Sequence, residues 1–228
     1  MKNDLLPLPS RFSPVGECAL LVELGDEISF DTCRRVWVLD RQMGQEPLQG
    51  VDTWVPAYAS LLVHYDPGVV TSAQVCSWVE ACLQKKSAIE EVVLKRIQIP
   101  VRYGSEHGPD LDDVARAHHL TPAQVVAKHT QPVYRVGMMG FMPGFAYLMG
   151  LDPELATPRR DTPRTLVPAG SVGIAGNQTG VYPLESPGGW QIIGRTELSL
   201  FSPSQQTPFL LSPGDEVQFV PLKDGAVS

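Results

Sequence analysis

The sequence predicts an α+β protein in two parts, a small α/β domain over residues 1–90 and a β-rich barrel or sandwich over residues 91–228. Three observations carry this. Short apolar runs alternate with amphipathic helical stretches in the first part. A polar segment from Lys85 to Glu91 then interrupts the pattern. From Pro132 onward, short strands are punctuated by glycine and proline.

"CALLVEL" (Cys18 to Leu24) is an apolar run stopped by Gly25-Asp26, which reads as a buried strand. "SFDTCRRVWVLDRQM" reads as a helix, with Ser29 as N-cap and Val36, Leu39 and Met43 at helical spacing. "SLLVHY" (Ser60 to Tyr65) is a second strand, ended by Asp66-Pro67-Gly68. "TSAQVCSWVEACLQKK" gives a second helix, with Val75, Trp78, Val79 and Cys82 on one face and Lys85-Lys86 at its C-terminal end. Strand–helix–strand–strand–helix–strand is the ferredoxin-like order.

The second part opens with "VVLKRIQIPVRY", a long strand, and a turn at Gly108-Pro109. "DLDDVARAHH" and "TPAQVVAKHT" are short helices, the latter capped by Thr121 with Pro122 in its first turn. Together they have the look of a helix-turn-helix, but the chain is acidic and the second helix is not basic, which argues against DNA reading. "LLSPGDEVQFVPL" closes the chain as strand, turn and alternating strand.

Composition narrows the class. The 228 residues are 43% hydrophobic and 19% charged, as in an ordinary globular protein, with net charge −7. That balance steers the chain towards neither nucleic acid nor anionic lipid. No apolar run approaches membrane-spanning length, and "MKNDLLPLPSRF" lacks the apolar region of a signal peptide. Cys18, Cys33, Cys76 and Cys82 show no C-x-x-C spacing, which favours free thiols in a reducing cytoplasm. The histidines His64, His107, His118, His119 and His129 show no metal spacing. There is no phosphate-binding loop, dinucleotide fingerprint, nucleophile elbow or biotin-carrying Met-Lys-Met. No nucleophile is evident, and His129, the one candidate base, fits better as the residue that ends its helix.

Three segments are candidates for chemistry, each with a plainer reading beside it: a hydrophobic turn packed on the core for the first, solvated surface arginines for the second and tight barrel corners for the third. "GFMPGFAYL" places Phe141, Phe145 and Tyr147 around Pro143-Gly144, a proline-stiffened aromatic loop. "TPRRDTPRTLVPAGSVGI" sets Arg159 and Arg164 directly after prolines, with Arg160 beside them; guanidinium forks there suit carboxylates or phosphates. The stretch from Pro168 to Thr196 holds seven glycines and three prolines. In it, Asn177 and Gln178 lie between glycines and Trp190 follows Gly188-Gly189. Amide side chains and open backbone there suit a polar ligand, and the glycine pair is expected to form a close-approach wall with positive φ or ligand space. Tight barrel corners alone would also use these glycines.

These segments, with "LSLFSP", closely resemble the B subunits of the bacterial ATP-dependent 5-oxoprolinases, a group also described as Kip-type histidine-kinase inhibitors and as allophanate hydrolase subunit 1. They are also similar to half of the carboxyltransferase domain of urea carboxylase. The resemblance runs from about Arg11 to Lys223. It implies a cyclophilin-like β-barrel after the N-terminal domain, and opening of 5-oxo-L-proline to L-glutamate with ATP hydrolysed to ADP and phosphate. It implies ATP, with Mg, as co-substrate and no biotin on this chain. It also implies the C and A subunits of 5-oxoprolinase as partners, with a homo-oligomer of heterodimers as the assembly to test. The substrate and nucleotide would meet Phe141, Pro143, Gly144 and Phe145 on the aromatic loop, Arg159 and Arg164 on the Pro-Arg units, and Asn177, Gln178, Gly188, Gly189 and Trp190 on the glycine-rich stretch. Ser171 and Tyr182 complete that set. The resemblance leaves two other activities open, inhibition of a sporulation-type sensor histidine kinase and half of a urea-type carboxyltransferase.

Overall fold

The computed structural model describes residues 11–85 and 95–222. The chain divides into two compact units, 1–93 and 94–228. The boundary expected at residue 90, Lys86 and the start of "VVLKRIQIPVRY" lie outside the described residues.

The first unit contains β1 (Arg11–Pro14), β2 (Ala19–Glu23), α1 (Phe30–Gln45), β3 (Val51–Pro56), β4 (Ser60–Tyr65) and α2 (Ser72–Gln84). Its antiparallel sheet runs β1-β2-β4-β3. Leu20 and Val22 of β2 and Leu61, Val63 and Tyr65 of β4 turn to one face, as period-2 alternation requires. Val36, Leu39 and Met43 of α1 and Val75, Val79 and Cys82 of α2 cover that face. Each such aliphatic side chain, once fully buried, contributes roughly 1.5–3 kcal/mol. The Ser29 hydroxyl caps α1 by accepting from the Thr32 N–H, and Thr71 forms a capping box with Gln74 at α2.

The ferredoxin-like order holds from β2 through α2, but the fourth place in the sheet is filled from the N-terminal side. β1 forms a hairpin with β2, and so short a loop closes at little entropic cost. None of the four cysteines forms a disulfide, and burial pushes the Cys33 thiol up to about 11.

The second unit contains β5 (Arg96–Tyr103), α3 (Leu111–Ala117), α4 (Pro122–Thr130), β6 (Tyr134–Met139), β7 (Ala146–Met149), β8 (Arg164–Val167), β9 (Ser171–Ala175), β10 (Gln178–Val181), β11 (Ser186–Gly188), β12 (Gln191–Arg195) and β13 (Glu216–Pro221). Seven strands close a barrel in the order β10-β7-β6-β13-β5-β12-β9, with the β9–β10 hairpin completing the ring. Of the two architectures open to the sequence, the barrel is the one found. β13 runs parallel to β5, and the other pairings are antiparallel. β8 and β11 form a separate two-stranded sheet. Ile99, Val101, Val136, Leu148, Val172, Ile174, Ile193, Val217 and Phe219 form the core, joined by Val114 of α3 and Val125 of α4. Among the described residues no helix is long and apolar enough to cross a membrane.

Candidate functional site

One wall of the barrel is organised by a residue that no sequence motif marks. Asp110, directly before α3, is 1% exposed and accepts four hydrogen bonds. Oδ1 accepts from Arg160 Nη1 at 2.9 Å and from Arg164 Nη2 at 2.7 Å. Oδ2 accepts from Arg164 Nη1 at 2.8 Å and from the Ile192 N–H at 2.6 Å. A buried carboxylate costs several kcal/mol unless its oxygens are filled, and here two guanidiniums and a backbone amide fill them. The Asp110 N–H returns a bond to the Ile192 carbonyl, which pins the 104–110 turn against β12. Gly108 permits this approach, because a Cβ there would overlap the Ile193 carbonyl. No local pattern announces Asp110, since its partners lie 50 and 54 residues away.

The pinned turn presents His107 to two neighbouring cavities and Glu106 to the smaller of them. The larger, about 510 Å³, is lined by Arg102, His107, Ala169, Gly170, Arg195 and Glu197, among others. The smaller, about 180 Å³, shares His107 and Arg195 and adds Arg164 and Ser171. His107 Nε2 is 3.6 Å from Glu106 Oε1. The two cavities set Arg102, Arg164 and Arg195 against Glu106 and Glu197, and because Arg164 is held by Asp110 the positive charge left for an anion is that of Arg102 and Arg195. Among the described residues no three His, Cys, Asp or Glu side chains come together to hold a metal ion.

Behind these cavities lies an aromatic cluster. Phe145, Tyr147, Tyr182 and Trp190 meet edge to face or tilted at centroid distances of 4.8–6.4 Å. Burial raises the pKa of both Tyr147 and Tyr182. Arg159 opposes it at both phenols, and at Tyr182 the Trp190 backbone N–H and Arg164 do so too. Phe141 stands at the rim, 61% exposed and with φ +67°, its ring against Phe145 and Tyr182. A phenylalanine in the left-handed region is costly, and here the ring stays largely exposed while it touches Phe145 and Tyr182.

The residues singled out in the sequence therefore separate. Phe141, Phe145, Tyr182 and Trp190 come together, while Arg164 and Ser171 line the smaller cavity. The Ser171 hydroxyl donates to the Pro168 carbonyl at 2.7 Å. Arg164, expected to offer its fork to a ligand, gives both Nη atoms to Asp110. Arg159 is exposed and makes no hydrogen bond or ion pair among the described residues. Pro143 is exposed, and Gly144 packs against Phe201 and Pro183. Asn177 is exposed in the β9–β10 turn, and neither it nor Gln178 lines these cavities.

Of the two uses expected of the glycine pair, positive φ is not found. Neither Gly188 nor Gly189 has positive φ. A Cβ at Gly188 would stand 2.5 Å from the Tyr182 hydroxyl, so this glycine admits the protein's own tyrosine. At Gly189 a Cβ would meet nothing nearer than 3.6 Å. Trp190 is 5% exposed and packs inward.

His129 is no base. It is fully buried, with its ring 4.5 Å from that of Phe219. The Thr179 hydroxyl donates its single proton to the Gly173 carbonyl at 2.9 Å and so accepts from His129 Nε2–H at 2.8 Å. Nδ1 is then the acceptor for the Tyr103 hydroxyl at 2.8 Å. Burial lowers the imidazole pKa to about 3, so it stays neutral.

An α/β unit followed by a closed barrel of this kind is the architecture of one half of a carboxyltransferase domain, and the family model for the carboxyltransferase domain, subdomains C and D, matches residues 10–211. The chain belongs to that family. It is 41% identical over 224 residues to the 5-oxoprolinase B subunit of Bacillus subtilis, covering 94% of this chain and 93% of that protein. It is 42% identical over 212 residues to the 5-oxoprolinase B subunit of Haemophilus influenzae, covering 91% and 95%. The solved structure of TTHA0988 matches with a TM-score of 0.80 and 36% identity over 90% of this chain, which spans 40% of that longer chain.

Proposed function

We propose that the chain is the B subunit of an ATP-dependent 5-oxoprolinase, acting on 5-oxo-L-proline, ATP and two waters to give L-glutamate, ADP and phosphate. The observation that carries this reading is the 41–43% identity to 5-oxoprolinase B subunits over nearly the whole of both chains. The chemistry of the cleft is in keeping with it. The γ-lactam is an unstrained amide, so its carbonyl must be activated before water can open it. Phosphorylation of the lactam oxygen by ATP supplies that activation and releases ADP.

Substrate carboxylate and nucleotide phosphates are all anions, and the cleft is lined by Arg102, Arg164, Arg195 and His107. His107 is the imidazole that lines both cavities. In this reading the aromatic group of Phe141, Tyr182 and Trp190 provides the apolar side, and Arg159 a further cation.

The sequence contains no phosphate-binding loop and no activated nucleophile, so the remaining machinery belongs to partners, the A and C subunits of the same enzyme. The test is 5-oxo-L-proline-dependent ATP hydrolysis by the chain alone and by the chain reconstituted with those partners. Turnover should need the partners, with glutamate and ADP formed in equal amounts. Full activity of the isolated chain would sink the division of labour. No activity in the reconstituted assembly would sink the function itself.

A further inference from the structure

We propose that Arg102 and Arg195 form a two-guanidinium oxyanion site in the larger cavity, taking a carboxylate or a phosphate. The proposal deepens the oxoprolinase reading and rests on it only for the choice of ligands.

Three observations meet here. Arg195 of β12 stands directly opposite Arg102 of β5 in the antiparallel register, and both line the same cavity of about 510 Å³. Directly opposed residues in such a pair have Cβ atoms about 5 Å apart, and like charges so placed destabilise the sheet unless something bridges them. Second, the two guanidiniums are underused. The Arg102 side chain is only 20% exposed, yet it makes no hydrogen bond among the described residues. Its one ion pair there is with Glu197, 3.9 Å away and itself 90% exposed. Arg195 Nε donates to the Ala169 carbonyl at 3.0 Å, which fixes the plane of the group and leaves both Nη atoms without a partner among the described residues. Third, the surroundings hold a ligand close. His107, Ala169, Gly170, Thr196 and Ser199 line the same cavity.

The adjacent arginines are arranged differently. Arg160 and Arg164 also converge, and there the protein supplies Asp110, buried between them, as the shared anion. Between Arg102 and Arg195 no carboxylate of comparable burial is supplied among the described residues. The geometry suits one oxyanion bridging two forks, as guanidinium groups bind carboxylate and phosphate.

The test is isothermal titration of the full chain with inorganic phosphate, ADP, 5-oxo-L-proline and 2-pyrrolidone, the last being the same ring without the carboxylate. The proteins compared are the wild type, Arg102→Gln, Arg195→Gln and, as a control, Arg116→Gln, whose exposed guanidinium pairs with Asp113. At least one oxyanion should bind the wild type, each cleft substitution should weaken it about tenfold to a hundredfold, and Arg116→Gln should leave it unchanged. A loss confined to phosphate and ADP assigns the site to a phosphate. A loss confined to 5-oxo-L-proline, with 2-pyrrolidone failing to bind, assigns it to the carboxylate.

Thermal unfolding without ligand separates binding from folding. Both cleft variants should be as stable as the wild type or more so, because the cross-strand repulsion is gone. The proposal is overturned if no oxyanion binds the wild type, if both cleft variants bind as the wild type does, or if Arg116→Gln loses as much. Oxyanion binding without 5-oxo-L-proline-dependent ATP hydrolysis in the reconstituted assembly would sink the functional reading and leave this site standing.

Discussion

Asp110 shows how much a single buried charge can organise. It holds two arginines and an edge amide of β12, so removing its charge leaves two guanidiniums facing an uncharged amide. Breaking a buried pair in this way costs about 3–5 kcal/mol. Asp110→Asn should lower stability by that order in urea unfolding, whereas Arg159→Ala, at an exposed position without such a partner, should stay within about 0.5 kcal/mol. Equal effects from the two substitutions would remove Asp110 from its organising role. The glycine pair offers a second comparison. A methyl at Gly188 collides with the Tyr182 hydroxyl, an overpacking worth about 1–3 kcal/mol, while at Gly189 it meets only ordinary contacts. Thermal unfolding of the two alanine variants should therefore separate them clearly, with Gly188→Ala the less stable. Identical melting temperatures would show that Tyr182 can move aside.

At the scale of the element, the β6–β7 hairpin carries the aromatic loop on two left-handed residues, Phe141 at φ +67° and Gly144 at φ +84°. Gly144 has no room for a side chain, since a Cβ would lie 2.7 Å from that of Phe201. Phe141 instead bears the conformational cost of a side chain, about 1–2 kcal/mol. Replacing it distinguishes strain from contact. Phe141→Ala keeps the strain and loses the ring, whereas Phe141→Gly loses both. The glycine variant should thus be more stable than the alanine variant by about 1 kcal/mol, measured by urea unfolding, and an alanine variant of equal or greater stability would refute the strained backbone. The elements themselves were largely legible in the sequence. Ser29 and Thr121 act as the caps their positions suggested, and Val36, Leu39 and Met43 face the core as their spacing required. The source of the fourth strand was not legible, because strand pairing is decided by which partners are free. The strand after α2 is committed to β12 and β13, and β1 takes the vacant edge.

For the molecule as a whole, His129 ties the barrel to acid conditions. Its folded pKa of about 3 lies below the ordinary value of 6.5. The unfolded chain therefore binds the proton more readily between these values. The neutral imidazole's contribution is complete above about pH 6.5 and is lost as pH falls towards 3, at no more than roughly 1.4 kcal/mol per pH unit. Urea unfolding between about pH 7 and 4 should show a steeper loss for the wild type than for His129→Gln, which lacks the titrating group. Were the His129 imidazole resonance itself, once assigned, to titrate near 6.5 in the native protein, the buried network would be contradicted. The same residue bears out the reading that set it at the end of its helix rather than as a base, and the fold closes both ring nitrogens with Tyr103 and Thr179.

By itself the sequence determined the two-part α+β organisation, the helix caps, the glycine-rich turns and the family, because each depends on local periodicity or on motifs read in line. It also marked the aromatic loop and the Pro-Arg units as unusual. Only the tertiary structure decided what those residues do. Asp110 claims Arg160 and Arg164 from 50 and 54 residues away, Gly188 makes way for Tyr182, and the β5–β12 register sets Arg102 against Arg195. The physical reason is that charge pairing and close approach depend on distance in space, and the closing of the barrel brings together residues whose separation along the chain carries no trace of it.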